Sequence, residues 1–224
     1  IALSYRVADL ASRAQGESGR AVAAWKRILE LDASEARAKD RLLAFYREQG
    51  DFESLADMVR QKLEYTDDPD ERLDLLSDLA RVQERELGRL EDAVRPYQDT
   101  LLLAPQNILA LTSLERLYPR IGDWAGQLTI LQRKRESFAD PRARAEADFQ
   151  IGALLVDRLD RPDEALESFR LVLSQAPTHE ATLRYLERLQ DDARVTLAVS
   201  MVLEPIYLQQ EQWGPLEKTL RLEL

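Results

Sequence analysis

Apolar residues recur three and four positions apart along most of the chain, as at Ala165, Phe169, Val172 and Leu173, the spacing of one face of an α-helix. No alternating apolar and polar run of the kind a strand needs competes with this pattern, so it predicts an all-α protein. Its interruptions coincide with turn chemistry. Asp68 and Asp140 are each followed by proline, the arrangement of an N-cap and a first helical residue, and Pro105 and Pro177 stand just beyond helix ends. Across the middle of the chain this predicts helices at about 72–87, 91–103, 107–119 and 123–137.

The pattern repeats. Ala21, Ala93 and Ala165 lie 72 residues apart, and the same offset aligns Trp25, Tyr97 and Phe169, then Leu29, Leu101 and Leu173, then Leu42, Leu114 and Leu186. Gly50-Asp51-Phe52 aligns with Gly122-Asp123-Trp124, and Asp68-Pro69 with Asp140-Pro141. Val7, Leu79 and Ile151 share a column, with the small residues Ala8, Ala80 and Gly152 beside them. Each repeat reads as two helical hairpins of about 36 residues, giving one domain over 1–224 with repeats at about 1–71, 72–143 and 144–224. A hairpin with one apolar stripe per helix cannot bury it alone and must stack on its neighbours. The bulky residues Trp25, Tyr97 and Phe169, and likewise Phe52, Trp124 and Trp213, are expected to pack between hairpins.

At these residues the chain resembles the tetratricopeptide repeat (TPR) family. Ala165, Phe169, Val172 and Pro177 are similar to that family's Ala, aromatic, small residue and terminal Pro, and Ala93, Tyr97, Thr100 and Pro105 repeat the series. Leu114, Tyr118, Gly122, Asp123 and Trp124, with Leu42, Tyr46, Gly50, Asp51 and Phe52, resemble the Leu, Tyr and Gly-Asp-aromatic turn of its first helix. The small residue that should follow the Leu is absent, replaced by Leu43 and Glu115.

The resemblance implies a right-handed α-solenoid, a superhelix whose first helices line a concave groove while the second helices cover the back. It further implies a non-catalytic protein–protein interaction scaffold that binds a polypeptide in the groove; the alternative is a structural spacer or assembly module of a larger protein. Residues one turn from the packing stripe are the groove candidates: Tyr5, Asp9, Ser77, Arg81 and Phe149 from the first hairpins, and Asp40, Arg47, Thr112 and Arg116 from the second. Arg81, Arg116 and Phe149 would suit a peptide, the guanidiniums taking carboxylates and the ring giving buried area.

The third repeat departs from this scheme. "YLERL" at 185–189 copies "SLERL" at 113–117, but no Gly-Asp-aromatic turn follows, and Glu211-Gln212-Trp213 is its late counterpart. The surplus of 17 residues predicts one extra helix near 193–209, of about 25 Å, with Pro205 inside it. Neither end of the sequence carries a polar capping helix, so a longer array is expected, with end-to-end self-association as a further possibility.

Composition limits the chemistry. The 224 residues include no Cys and one His, and 31 basic against 41 acidic residues leave a net charge of -10. That balance argues against nucleic acid as a partner. No run approaches the roughly 18 apolar residues of a membrane span and no signal-peptide pattern opens the chain, so no membrane insertion and a cytoplasmic location are expected. Arg outnumbers Lys 26 to 5, a bias associated with GC-rich bacterial genes. No enzyme activity, metal or cofactor is expected. His179 opens a helix without a second His or a nucleophile nearby and reads as a cap. The Asp67, Asp68, Asp70 and Glu71 cluster lacks the glycine and final Glu of a calcium loop and reads as charge favouring a helix N-terminus. Arg133, Lys134, Arg135, Arg142 and Arg144 are interleaved with Glu136 and Glu146 and read as an ion-paired helix face.

Overall fold

A computed structural model of the protein describes residues 5–7, 10 and 18–221. Among the described residues the regular structure is helical throughout, without a strand. The helices are α1 (Ser18–Leu31), α2 (Ala36–Gln49), α3 (Phe52–Leu63), α4 (Pro69–Arg81), α5 (Leu90–Leu103), α6 (Ile108–Ile121), α7 (Trp124–Ser137), α8 (Pro141–Asp157), α9 (Pro162–Gln175), α10 (Glu180–Leu189), α11 (Thr196–Gln209) and α12 (Trp213–Arg221). A π-helical turn, Val82–Glu86, prolongs α4.

Each helix of one repeat starts 72 residues from its counterpart in the next. Ser18, Leu90 and Pro162 begin α1, α5 and α9, and Ala36, Ile108 and Glu180 begin α2, α6 and α10. Phe52, Trp124 and Thr196 begin α3, α7 and α11, and Pro69, Pro141 and Trp213 begin α4, α8 and α12. The chain is thus an all-α array of TPR-like hairpins. The helix expected near 193–209 is present as α11, but its start makes it the regular fourth helix of the third repeat and not an insertion.

The reason lies in the turn before it. Gly50 and Gly122 end α2 and α6 in the left-handed conformation, with φ of 68° and 76°. Arg194 occupies their column, and without a glycine α10 stops four residues earlier than its counterparts. Polar side chains build the turn instead. Arg194 bonds Asp192 at 2.7 Å and Asp160 at 2.8 Å, and the Thr196 hydroxyl donates to the Asp192 carbonyl at 2.8 Å. Trp213 accordingly belongs with Pro69 and Pro141, and it is 63% exposed where packing between hairpins is expected. The other columns pack as expected: Trp25, Tyr97 and Phe169 are buried, and Phe52 and Trp124 are half-buried.

Helix starts are set by capping. Asp68 accepts from the backbone N–H groups of Asp70 and Glu71, at 2.9 and 3.4 Å, and Asp140 from that of Arg142, with proline next in both. Asp51 and Asp123 cap α3 and α7 through Ser54 and Gly126. Each such cap stabilises by about 1 kcal/mol. Close helix approach comes from glycines, not from the positions of Leu43 and Glu115. A Cβ on Gly126 would lie 2.4 Å from the Tyr118 ring, and one on Gly152 2.5 Å from the Phe169 ring.

Two compact units divide the chain, Ile1–Leu117 and Tyr118–Leu224. In the first, α1 to α4 each pack on the next helix, around Trp25, Ile28, Leu42, Leu55, Val59 and Leu79. In the second, α7 to α12 do likewise around Ile151, Phe169, Leu186, Leu203 and Tyr207.

Candidate protein-binding face

In the first compact unit α2, α4 and the part of α6 up to Leu117 are linked through arginines. Arg47 on α2 and Arg81 on α4 share Asp78, Arg47 through Oδ2 and Arg81 through Oδ1 at 2.6 Å. Arg116 on α6 pairs with Glu84 in the π turn of α4. In that turn the Leu87 N–H reaches back five residues to the Val82 carbonyl at 3.0 Å, and Gly88 then leaves it with φ of 66°. Tyr97 donates its hydroxyl to the other oxygen of Glu84 at 3.2 Å, and burial, with that carboxylate, raises the Tyr97 pKa. Glu84 is 7% exposed at its side chain, whereas the three arginines remain about half exposed. Anchored carboxylates therefore orient guanidiniums whose remaining donors face solvent.

The candidate groove residues do not form one cluster. Arg47 and Arg81 meet through Asp78, and Arg116 is held by the same α4 segment. Asp40 is instead bridged to Glu71 by Lys62, at 2.7 and 2.8 Å. Ser77 is half-buried on α4, and Thr112 turns its hydroxyl back to the Ile108 carbonyl at 2.7 Å. Tyr5 is half-buried and packs edge-on against the core residue Trp25 at 5.6 Å, and burial with Glu35 pushes its hydroxyl pKa up to about 12. Asp9 lies outside the described residues. Phe149, in the second compact unit, is half-buried against Phe169, His179 and Tyr185, with centroids 6.3, 5.1 and 5.6 Å away.

Above Phe149, Asp157 of α8 accepts from the Tyr185 hydroxyl at 2.6 Å and from Arg188 at 2.7 Å, both on α10. The hydrogen bond to Asp157 raises the Tyr185 pKa. Ala181, Arg184, Tyr185 and Arg188 line an open cleft of about 350 Å³ there. No helical or turn pattern in the sequence marks Asp78, Glu84 or the Tyr185 and Arg188 pair; the signal for the last is the 72-residue offset, which carries Arg116 onto Arg188.

Between successive second helices lie two further clefts. One of about 490 Å³ is lined by Arg60, Leu63, Leu79, Asp92 and Pro96, and one of about 380 Å³ by Lys26, Tyr46, Asp57 and Met58. His179 caps α10, its Nδ1 accepting from the Thr182 N–H at 3.3 Å and lying 2.8 Å from the Thr182 hydroxyl. Arg135 finds its carboxylate not in Glu136 or Glu146 but in buried Asp148 on α8, at 2.5 Å. Among the described residues no helix is long and apolar enough to cross a membrane, and no group of three or more His, Asp or Glu could hold a metal ion.

No family model and no curated protein matches the chain. Similar solved structures include YrrB, a TPR protein with an unusual peptide-binding site, at 23% identity and a TM-score of 0.41 over 80% of this chain and 88% of that one. The MamA protein is similar at 16% identity and a TM-score of 0.39, over 85% and 88%. The TPR-like character of the chain is carried by its own helices and their 72-residue period.

Proposed function

We propose that the protein is a non-catalytic interaction scaffold that binds an acidic polypeptide segment along the first-helix face of α2, α4 and α6. The observation that carries this reading is the trio Arg47, Arg81 and Arg116, about half exposed and oriented by Asp78 and Glu84. A guanidinium has five N–H donors, so one anchoring bond leaves donors for a partner's carboxylate. Because the chain as a whole carries a charge of -10, recognition would depend on this local row and not on long-range attraction.

The test is an array of acidic and charge-neutral dodecapeptides, followed by fluorescence anisotropy on the best acidic binder with wild type and Arg81→Gln/Arg116→Gln. Glutamine keeps a donor for Asp78 and Glu84, and circular dichroism checks the fold. About tenfold weaker binding by the double variant, with a marked loss in high salt, is expected. Equal binding by the variant, or no preference for acidic peptides, would overturn the reading. An assembly role is the second reading, favoured by an exposed apolar row on α11.

A further inference from the structure

We propose that the outer face of α11 is a homotypic contact, through which two copies of this chain pair antiparallel about a two-fold axis. Leu197, Met201, Pro205 and Leu208 fall on one narrow arc of the helix; Leu197, Met201 and Leu208 are 59%, 62% and 55% exposed. Opposite them Val199, Leu203 and Tyr207 are buried, so the inner face already supplies the packing that α11 needs.

The chain contains its own comparison. At the same four positions α3 and the residue after it carry Glu53, Asp57, Gln61 and Glu64, and α7 carries Ala125, Thr129, Arg133 and Glu136, all of them exposed. An apolar outer row is therefore no requirement of this helix position in the array. It is a property of the third repeat, and the inward packing of α11 does not require it.

Two features favour a second copy as the occupant, and the area sets how tightly it is held. A two-fold pairing needs a row that reads alike in both directions, and this one places Leu197 opposite Leu208 and Met201 opposite Pro205 to within one residue. Two chains of charge -10 pair most readily where like charges are few; α11 carries a single acid, Glu204, beside the row, whereas Glu53, Asp57 and Glu64 would repel their own copies. The area makes it a weak contact: about 100 Å² from each of the four side chains gives about 800 Å² in total from two copies, below the roughly 1,200 Å² at which stable complexes begin, so the pairing is reversible and is sought at about 10–300 µM, the micromolar range of weak complexes. The contact is independent of the arginine face, since it uses a different helix and no charge.

Sedimentation velocity across that range tests the pairing. The wild type should shift from monomer toward dimer as concentration rises. Leu197→Glu/Met201→Asp, which installs the residues the chain already carries at Glu53 and Asp57, should stay monomeric with unchanged circular dichroism and melting. Since the chain has no cysteine, Leu197→Cys and Leu208→Cys chains report the register. Oxidised together they should link at least about tenfold faster than either alone, because an antiparallel pair brings only the unlike positions within disulfide reach. A wild type that is monomeric throughout, whatever else the face binds, overturns the proposal. So does equal association by the double variant, or equal linking in mixed and single samples.

Discussion

Replacing Gly152 with alanine drives a methyl group into the ring of Phe169. The new Cβ would lie 2.5, 2.8 and 2.9 Å from three ring carbons, against an ordinary carbon contact of about 3.5–4.0 Å. Phe169 is fully buried, with the rings of Tyr185 and Phe149 centred 5.5 and 6.3 Å away, so it cannot yield without moving them. Overpacking of this kind costs about 1–3 kcal/mol, while exchanging Gly for Ala inside a helix returns about 1 kcal/mol. In the wild-type background the substitution should therefore destabilise by about 1 kcal/mol. In a Phe169→Leu background the clash is gone and the same substitution should stabilise by about 1 kcal/mol, a coupling of about 2 kcal/mol. Urea denaturation of the four chains, followed by circular dichroism, measures it. A coupling within about 0.5 kcal/mol of zero, or a Gly152→Ala chain more stable than wild type, would refute the reasoning. Ala80 shares the Gly152 column and Tyr97 the Phe169 column, so the outcome also measures how far each repeat has fitted its own aromatic.

The Arg135–Asp148 pair is expected to respond asymmetrically. Arg135→Ala leaves a buried carboxylate uncompensated and should cost about 2–3 kcal/mol, reduced because the arginine is a third exposed. Asp148→Leu, which installs the residue type of Leu76 and Leu220 in that column, should be neutral or stabilising in thermal melts, since Asp148 Oδ2 lacks a hydrogen-bond partner. A loss above about 1 kcal/mol would contradict this. At the α3 cap, hydrogen bonds from Ser54 hold the Asp51 carboxyl below its usual 3.8. A depressed folded pKa contributes stability that is fully present above the unfolded value and is lost as pH falls through the folded one. The stability gap between wild type and Asp51→Ala should thus be constant from about pH 5 to 7 and close below about pH 4; a gap unchanged at about pH 3 would refute it.

The helices were legible wherever side-chain periodicity and cap chemistry agreed. Asp68-Pro69 and Asp140-Pro141 open α4 and α8 as their sequence predicts, and the aromatic column from Trp25 to Phe169 is core. The turn before α11 was illegible because its signal is carried by contacts distant in sequence. Arg194 reaches Asp160, and nothing in a Gly-Asp-aromatic template announces that a guanidinium can stand where glycine does. The arginine face was half legible for a related reason. Helical spacing placed Arg47, Arg81 and Arg116 on first helices, but their anchors Asp78 and Glu84 depend on helix neighbours and on a π turn that local propensity does not encode. Phe149 illustrates the converse, since a position one turn from the packing stripe is solvent-facing only if no aromatic neighbour closes over it.

The constant 72-residue spacing of helix starts lets the chain lose or gain one period at a cut that falls inside a helix and leaves pairs such as Arg194 and Asp160 together. Excising one full period from within a helix splices its first part to the second part of its counterpart, with the helical phase, the cap and the loop that follows all kept. Following Leu76 of α4 directly with Phe149 of α8, for instance, gives a chimeric helix that still presents a residue of the right column at each step. Growth and contraction by unequal recombination therefore need no coincidence with a domain boundary, and a lineage of such chains can change length in whole periods of its own pattern while its turns, like that at Arg194, drift independently.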